Sequence, residues 1–350
     1  MVYDTGIELK PRGVMELFDQ AIRLYRNNFL NFIGIIAVAQ VPIQLVQMLL
    51  NLLVFESMQG GSQVDTVNYA ALGTSVITFI ISILSYIFVA GLATAALTRA
   101  ITGRYLGEEV TIFGAYGQIK DRWGSLVGAL LLVSLLSIPL LIWAFIPCIG
   151  WVTGFGMLFF LALVITPLIA PVIVIEGRGA SRAIRRGWEL ARRRFWWLTG
   201  FFLLLALFNL LVVQGPVYVV TAAITGVFAQ GAEVANLASS TALQTVVTSL
   251  LALILSLLYV PLSATCATLA YFDLRVRQEG FDLALMASQG EATPVNALEL
   301  ASEAPAIPAG PLVTWPEMGN FALVSLIVAG FYGVLYAVIM AIFFASFGLN

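Results

Sequence analysis

The stretch APVIVIEGRGASRAIRRGWELARRRFWWLTG, residues 170–200, decides the fold. Its opening residues close a long apolar run, which stops at Glu176 and Gly177-Arg178-Gly179. Over 180–194, Ala180, Ala183, Ile184, Gly187, Trp188 and Ala191 then recur at helical spacing, while Arg182, Arg185, Arg186, Glu189 and Arg193 take the opposite face. At Phe195-Trp196-Trp197 a second long apolar run begins. A basic amphipathic segment between two such runs reads as an interfacial helix joining two membrane spans. Its apolar side faces acyl chains and its basic side faces headgroups and water.

The rest of the chain repeats this grammar. Hydrophobic residues are 60% of 350 positions and charged residues 10%, against roughly 25% charged in soluble domains. Seven apolar runs, at about 29–54, 71–98, 123–146, 151–175, 195–213, 241–271 and 319–346, are long enough to cross a hydrocarbon core of ~30 Å. A further run at 217–229 follows Gln214-Gly215-Pro216, where the proline is expected to kink or end the helix. The expected fold class is an all-α integral membrane bundle. It has six spans in three hairpins, each preceded by an interfacial amphipathic helix, plus a C-terminal seventh span. Residues 1–283 form the six-span domain, 284–318 a flexible Ala/Pro/Glu-rich linker without a basic residue, and 319–350 a single C-terminal transmembrane helix.

Charge sets the expected orientation. Lys10, Arg12, Arg23 and Arg26 precede the first run, and Arg99, Arg104, Lys120 and Arg122 lie between the second and third. Arg178, Arg182, Arg185, Arg186, Arg192, Arg193 and Arg194 lie between the fourth and fifth, and Arg275 and Arg277 follow the sixth. These are all 17 Lys and Arg, and all fall on one side; the opposite loops hold Glu56, Asp65 and Glu233. By the positive-inside rule the N-terminus is cytoplasmic, the C-terminus is outside and the protein sits in the cell membrane as a multi-pass chain.

The segments that introduce the hairpins align. Placing Gly34, Gly128 and Gly200 in one column also aligns Phe29, Trp123 and Phe195, then Arg26, Lys120 and Arg192, then Ala21, Ala115 and Gly187, then Phe18, Ile112 and Ile184. This reads as a threefold internal repeat in one orientation, about an axis normal to the membrane.

Several chemistries are excluded or disfavoured. There is no histidine, which removes His-based acid–base catalysis and His metal sites. Cys148 and Cys266 fall at different depths and are not expected to pair. The polar start, MVYDTGIELKPRG, is not expected to be a cleavable signal peptide. No cofactor or metal is expected. Nucleic acid is not an expected partner, because the basic helix is tied to the membrane at both ends.

Residues 13–29 (GVMELFDQAIRLYRNNF), 170–200 and 271–283 (YFDLRVRQEGFDL) together resemble the glycerophosphoryl diester phosphodiesterase membrane domain family over roughly residues 10–285. The resemblance implies a membrane domain that in some relatives precedes a phosphodiesterase barrel. This chain has no room for such a barrel and none of the histidines it uses, so the resemblance does not carry the activity over.

Three sets of residues are candidates for function. Gln40, Gln44, Gln47 and Asn51 form one polar stripe in the first span beside Pro42. The stripe either bonds helices together or lines a polar path or headgroup cavity. Arg182, Arg185, Arg186, Arg192, Arg193 and Arg194 either anchor topology or contact anionic lipid. Glu176 is expected to pair with Arg178 or a neighbouring interfacial helix, to cap the 180–194 helix, or to couple a proton; Asp273 with Arg275 is expected as a second edge pair. Gly124/Gly128 and Gly150/Gly154 have the spacing that lets helices approach closely. The first functional expectation is a non-enzymatic scaffold or accessory subunit of a membrane assembly with anionic-lipid contacts; separately, the C-terminal helix is detachable in principle and available to dock on another membrane subunit. The alternative is a transporter or lipid-handling protein with a polar intramembrane cavity.

Overall fold

The structure is a computed structural model that describes residues 12–59, 69–108, 110–147, 149–229, 234–289, 297–303, 305 and 313–347. Among them every regular element is a helix. Helix α1 (Val14–Asn27) starts where the Gly13 N–H donates to Glu16 Oε2 at 3.2 Å, and α2 follows at Phe29–Gln59. Helix α3 (Tyr69–Ser85) passes through a π-helical segment, Tyr86–Ala93, into α4 (Thr94–Tyr105). Helix α5 (Ile112–Gln118) is capped by Thr111 Oγ1, which accepts from the Gly114 N–H, and a 3₁₀ turn leads to α6 (Trp123–Ala144). Helix α7 (Ile149–Phe160) runs through a π segment, Leu161–Ile165, into α8 (Thr166–Glu176). Gly177, at φ 68°, then ends α8 in the left-handed conformation that glycine adopts without steric cost. Helices α9 (Ala180–Arg192), α10 (Phe195–Asn209), α11 (Gly215–Ala229), α12 (Val234–Glu279), α13 (Phe281–Gln289), α14 (Ala297–Ser302) and α15 (Trp315–Phe347) complete the chain.

Among the described residues, six helical runs are long and apolar enough to cross a membrane: Phe29–Leu53, Ser75–Tyr105, Lys120–Ala144, Ile149–Glu176, Phe195–Thr225 and Ala242–Glu279. The helix does not end at Pro216. A π segment, Leu210–Gln214, joins α10 to α11, and Pro216 is the second residue of α11. Widening the helix just before a proline relieves the ring's clash with the preceding turn and the loss of its N–H.

The core is built by α4, α8 and the C-terminal part of α12, which touch one another pairwise. Residues 95–97, 100 and 101 on α4, 172–175 on α8 and 269–272 on α12 are buried. Farther along, the helices splay. Phe79, Leu135, Ile142, Leu211 and Val219 are exposed, an apolar surface that suits acyl chains and not water.

The short introducing helices pack in a cycle. Helix α5 sits on α2: Tyr116 donates its hydroxyl to the Ile35 carbonyl at 2.7 Å, and Ile112 fills the space left by Gly34. Helix α9 sits on α6, where Gly128 faces Ala180. Helix α1 closes the cycle: Phe18 meets Phe201 of α10 at 4.9 Å, and Tyr25 donates to the Leu258 carbonyl of α12 at 3.1 Å. Gly200, the third glycine of the aligned column, has open space around it, as does Gly124. Gly150 and Gly154 are the close approaches: a Cβ on them would collide with the backbone of Trp143 and Ala144.

Helix α15 is seated on α7 of its own chain over its first half. Phe321 is buried among Phe160, Phe195 and Trp188 at 5.5–5.9 Å, and Glu317 pairs with Arg192 at 3.0 Å. The expected linker, 284–318, lies partly outside the described residues. Residues 284–289 continue α13, α14 follows, and Ala301 is fully buried because Arg275 takes its carbonyl and that of Glu303. Composition hides this, since the partner is a backbone carbonyl and any residue type supplies one.

Candidate functional site

Where the three inner helices begin to splay, they leave a cavity of about 420 Å³. Thr94 and Thr98 line it from α4, Thr166 from α8, Asn209 from α10, and Tyr259 and Ser263 from α12, with small and apolar side chains between them. All three π segments border it or end beside it: Ala90 and Ala162 belong to two of them, and Asn209 precedes the third. In a π segment the backbone bond spans five residues, and the Thr94 and Thr166 N–H groups reach the Val89 and Leu161 carbonyls in this way. Thr94 and Thr166, each the first residue after a π segment, donate their hydroxyls to the carbonyls of Val89 and Leu161 at 3.0 and 2.9 Å. Two helices thus use one device at matching positions, and π segments of this kind concentrate at functional sites. Tyr259 donates to the Leu205 carbonyl at 3.1 Å and ties α12 to α10 at the cavity wall. Thr166 precedes Glu176 by ten residues, so the cavity lies about 15 Å from the basic end of α8.

A buried charge network closes the basic end beneath it. The Glu176 carboxylate accepts from Arg178 Nε at 2.5 Å, from Arg186 Nε at 3.0 Å and from the Tyr271 hydroxyl at 2.8 Å. Arg186 also pairs with Glu279, which accepts from Arg275 Nε at 3.0 Å. Arg275 is 2% exposed and lies over the Phe281 ring at 4.8 Å. Burial pushes the Arg186 guanidinium toward its neutral form, but Glu176 and Glu279 outweigh this and hold it charged. Two carboxylates and three guanidiniums with their bonds made form a network whose members hold each other in place; a missing member would strand a buried charge.

The sequence-derived candidates fare unevenly. Glu176 does pair with Arg178, and also with α9 through Arg186. Asp273 does not pair with Arg275: it takes Arg277 at 2.8 Å and the Arg12 N–H at 2.9 Å, because residues four apart share a helix face and residues two apart do not. The expected exposed basic face of α9 is corrected too. Arg186 and Glu189 are buried, and Arg192 is shared between Glu189 and Glu317, whereas Arg182 and Arg193 are exposed. Arg185 and Arg194 are half-buried. Gln40 is buried and donates to Ser256 of α12 at 2.5 Å, Gln44 and Gln47 are half-buried, and Asn51 is exposed. Cys266 is buried with a free thiol, and Cys148 lies outside the described residues.

Sequence reasoning missed the cavity hydroxyls, Tyr271 and Glu279. Tyr271, Arg275 and Glu279 stand at i, i+4 and i+8, a single-face pattern that was available to find. The cavity hydroxyls had only a weak signal, polar residues scattered through apolar runs. Comparison of the chain with models of protein families, with curated proteins and with solved structures found no match.

Proposed function

We propose that this chain is a non-enzymatic, multi-pass membrane protein that holds an amphipathic, lipid-class molecule in the cavity between its inner helices. The observation that carries the reading is the cavity itself. A mostly apolar wall with a few hydroxyls and one amide suits a molecule with an acyl body and a small polar group. The buried carboxylates support a non-catalytic role. Glu176, Glu189, Asp273 and Glu317 are each held by an arginine, so none stands free as a general base. The cyclic packing of α1, α5 and α9 supports the threefold repeat and the parallel hairpins. The resemblance to the membrane domain family fits a membrane body and carries no phosphodiesterase chemistry.

In this reading the basic end is cytoplasmic, the cavity lies near the bilayer midplane, the charge network forms its inner floor and α15 is a seventh span. Cysteine-accessibility labelling in intact cells is expected to reach positions 60 and 235 from outside, and positions 105, 180 and 278 only after permeabilisation. Outside labelling at 105 overturns the orientation.

The cavity is tested by filling it. Ala90 and Ala162 line it and are exposed to it, so a phenylalanine at either position enters open space and not packed core. Native mass spectrometry of the gently purified protein is expected to find a retained lipid in the wild type. In Ala162→Phe and Ala90→Phe that lipid is lost at unchanged thermal stability. Full retention in both variants leaves the scaffold as the better reading.

A further inference from the structure

A second cavity, of about 460 Å³, lies at the basic end between α4, the start of α6 and α14, away from the hydroxyl-lined one. Arg99 and Arg122 both line it, with Gln118 and Ser302 beside them. Each guanidinium is already fixed on one side. Arg99 Nη2 donates to Glu108 at 2.8 Å, and Arg122 Nη1 donates to the carbonyls of Ile173 and Val174 at 2.7 and 2.5 Å, capping the end of α8. The two are held with little freedom. Arg99 is packed against Gly103, and Arg122 lies against Gly177, whose missing side chains leave room for them.

The arrangement has one unmet demand. Arg99 Nη1, shielded from solvent and set against Gly103, has no hydrogen-bond partner among the described residues, although it belongs to a cation. Burying such a donor unpaired is costly, and so is setting two guanidiniums on one cavity. Among the described residues, the acid that lines the cavity is Glu299, which is exposed at the rim on α14. The rest of the lining is two guanidiniums, an amide, a hydroxyl and the apolar side chains of Val174 and Ile175. Fixed guanidiniums converging on a roomy cavity match the acceptor-rich, tetrahedral geometry of a phosphate group.

We infer that Arg99 and Arg122 form a binding site for a phosphate group, carried by a lipid headgroup or by a soluble phosphate compound. This goes beyond the proposed function and does not depend on it, because the two cavities share no residue. It also differs from the expected lipid contacts of α9, whose arginines do not line this cavity.

The test uses the full chain purified in neutral detergent, with two probes. Inorganic phosphate is titrated and read by thermal stabilisation; short-chain phosphatidylglycerol is titrated against phosphatidylcholine and read by native mass spectrometry. Arg99→Gln is expected to weaken the probe that binds by about tenfold or more, the scale of one lost charge-assisted hydrogen bond. Arg23→Gln, at an exposed arginine of α1, is expected to leave binding unchanged. Glu299→Gln removes the rim carboxylate without touching packed structure, and is expected to tighten binding severalfold at low salt. It serves as the readout if Arg99→Gln does not fold. Response to phosphate places the ligand in solution, and response to phosphatidylglycerol alone places it in the membrane; either supports the site. Binding of neither probe overturns it. So does equal weakening by Arg23→Gln and Arg99→Gln, or affinity indifferent to Glu299→Gln.

Discussion

Glu176→Ala is expected to destabilise the purified protein by about 3–5 kcal/mol, the cost of removing one partner from a buried ion pair. The carboxylate holds Arg178, Arg186 and the Tyr271 hydroxyl at once, from α8, α9 and α12. Its side chain is fully shielded from solvent. Without it, Arg186 keeps Glu279, but Tyr271 is left with a buried hydroxyl beside two guanidiniums. Glu176→Gln keeps one acceptor oxygen and is expected to cost less. Tyr271→Phe removes one bond to a charged acceptor and is expected to cost about 1.5–3 kcal/mol. The measurement is reversible unfolding in mixed micelles, with Arg182→Ala at the exposed face of α9 as the control. If Glu176→Ala unfolds within 1 kcal/mol of the wild type by the ~±0.5 kcal/mol standard of surface substitutions, the network does not hold the basic end together.

Gly156→Ala is expected to unseat α15. A Cβ at Gly156 would stand 2.0 Å from the Phe321 carbonyl oxygen and 2.9 Å from Ser325 Oγ. The first obstacle is backbone, so no rotamer change relieves it, and the two helices must separate. Separation breaks the bond from the Gly156 N–H to Ser325 Oγ at 2.6 Å and draws Phe321 away from Phe160, Phe195 and Trp188. Overpacking of this kind costs about 1–3 kcal/mol. Here the cost falls on one detachable helix and not on the six-run bundle. Limited proteolysis is therefore expected to release the C-terminal helix from Gly156→Ala faster than from the wild type, with the rest of the chain unchanged. Gly200→Ala, where a Cβ meets nothing, is the matched control. Equal release from both variants would show that α15 owes nothing to the close crossing with α7.

Much of the fold was legible because the solvent dictates it. In hydrocarbon a backbone must satisfy its own hydrogen bonds, so each long apolar run has to be helical, and the six runs fall close to where the sequence puts them. The site was less legible. The Gln40–Asn51 stripe is real as a pattern, but patterns on one helix do not say what faces them. Gln40 meets Ser256, more than two hundred positions away, and Asn51 meets open surface. The amphipathic reading of 180–194 sorted residues correctly into two faces, yet it assumed that the charged face is the exposed one. A salt-bridged arginine can be buried, and Arg186 is.

By itself the sequence determined the helical class, the six apolar runs, the gathering of basic residues toward one end and the absence of histidine chemistry. These follow from local composition and period, which need no knowledge of neighbours. Only the tertiary structure decided that Glu176 joins Arg186 and Tyr271, that α15 rests on its own chain, and that three π segments meet around a hydroxyl-lined cavity. Those depend on which helix faces which. The hydrophobic pattern of a membrane span leaves that open, because lipid and protein are equally apolar neighbours, and small residues, carbonyls and buried charges settle it one contact at a time.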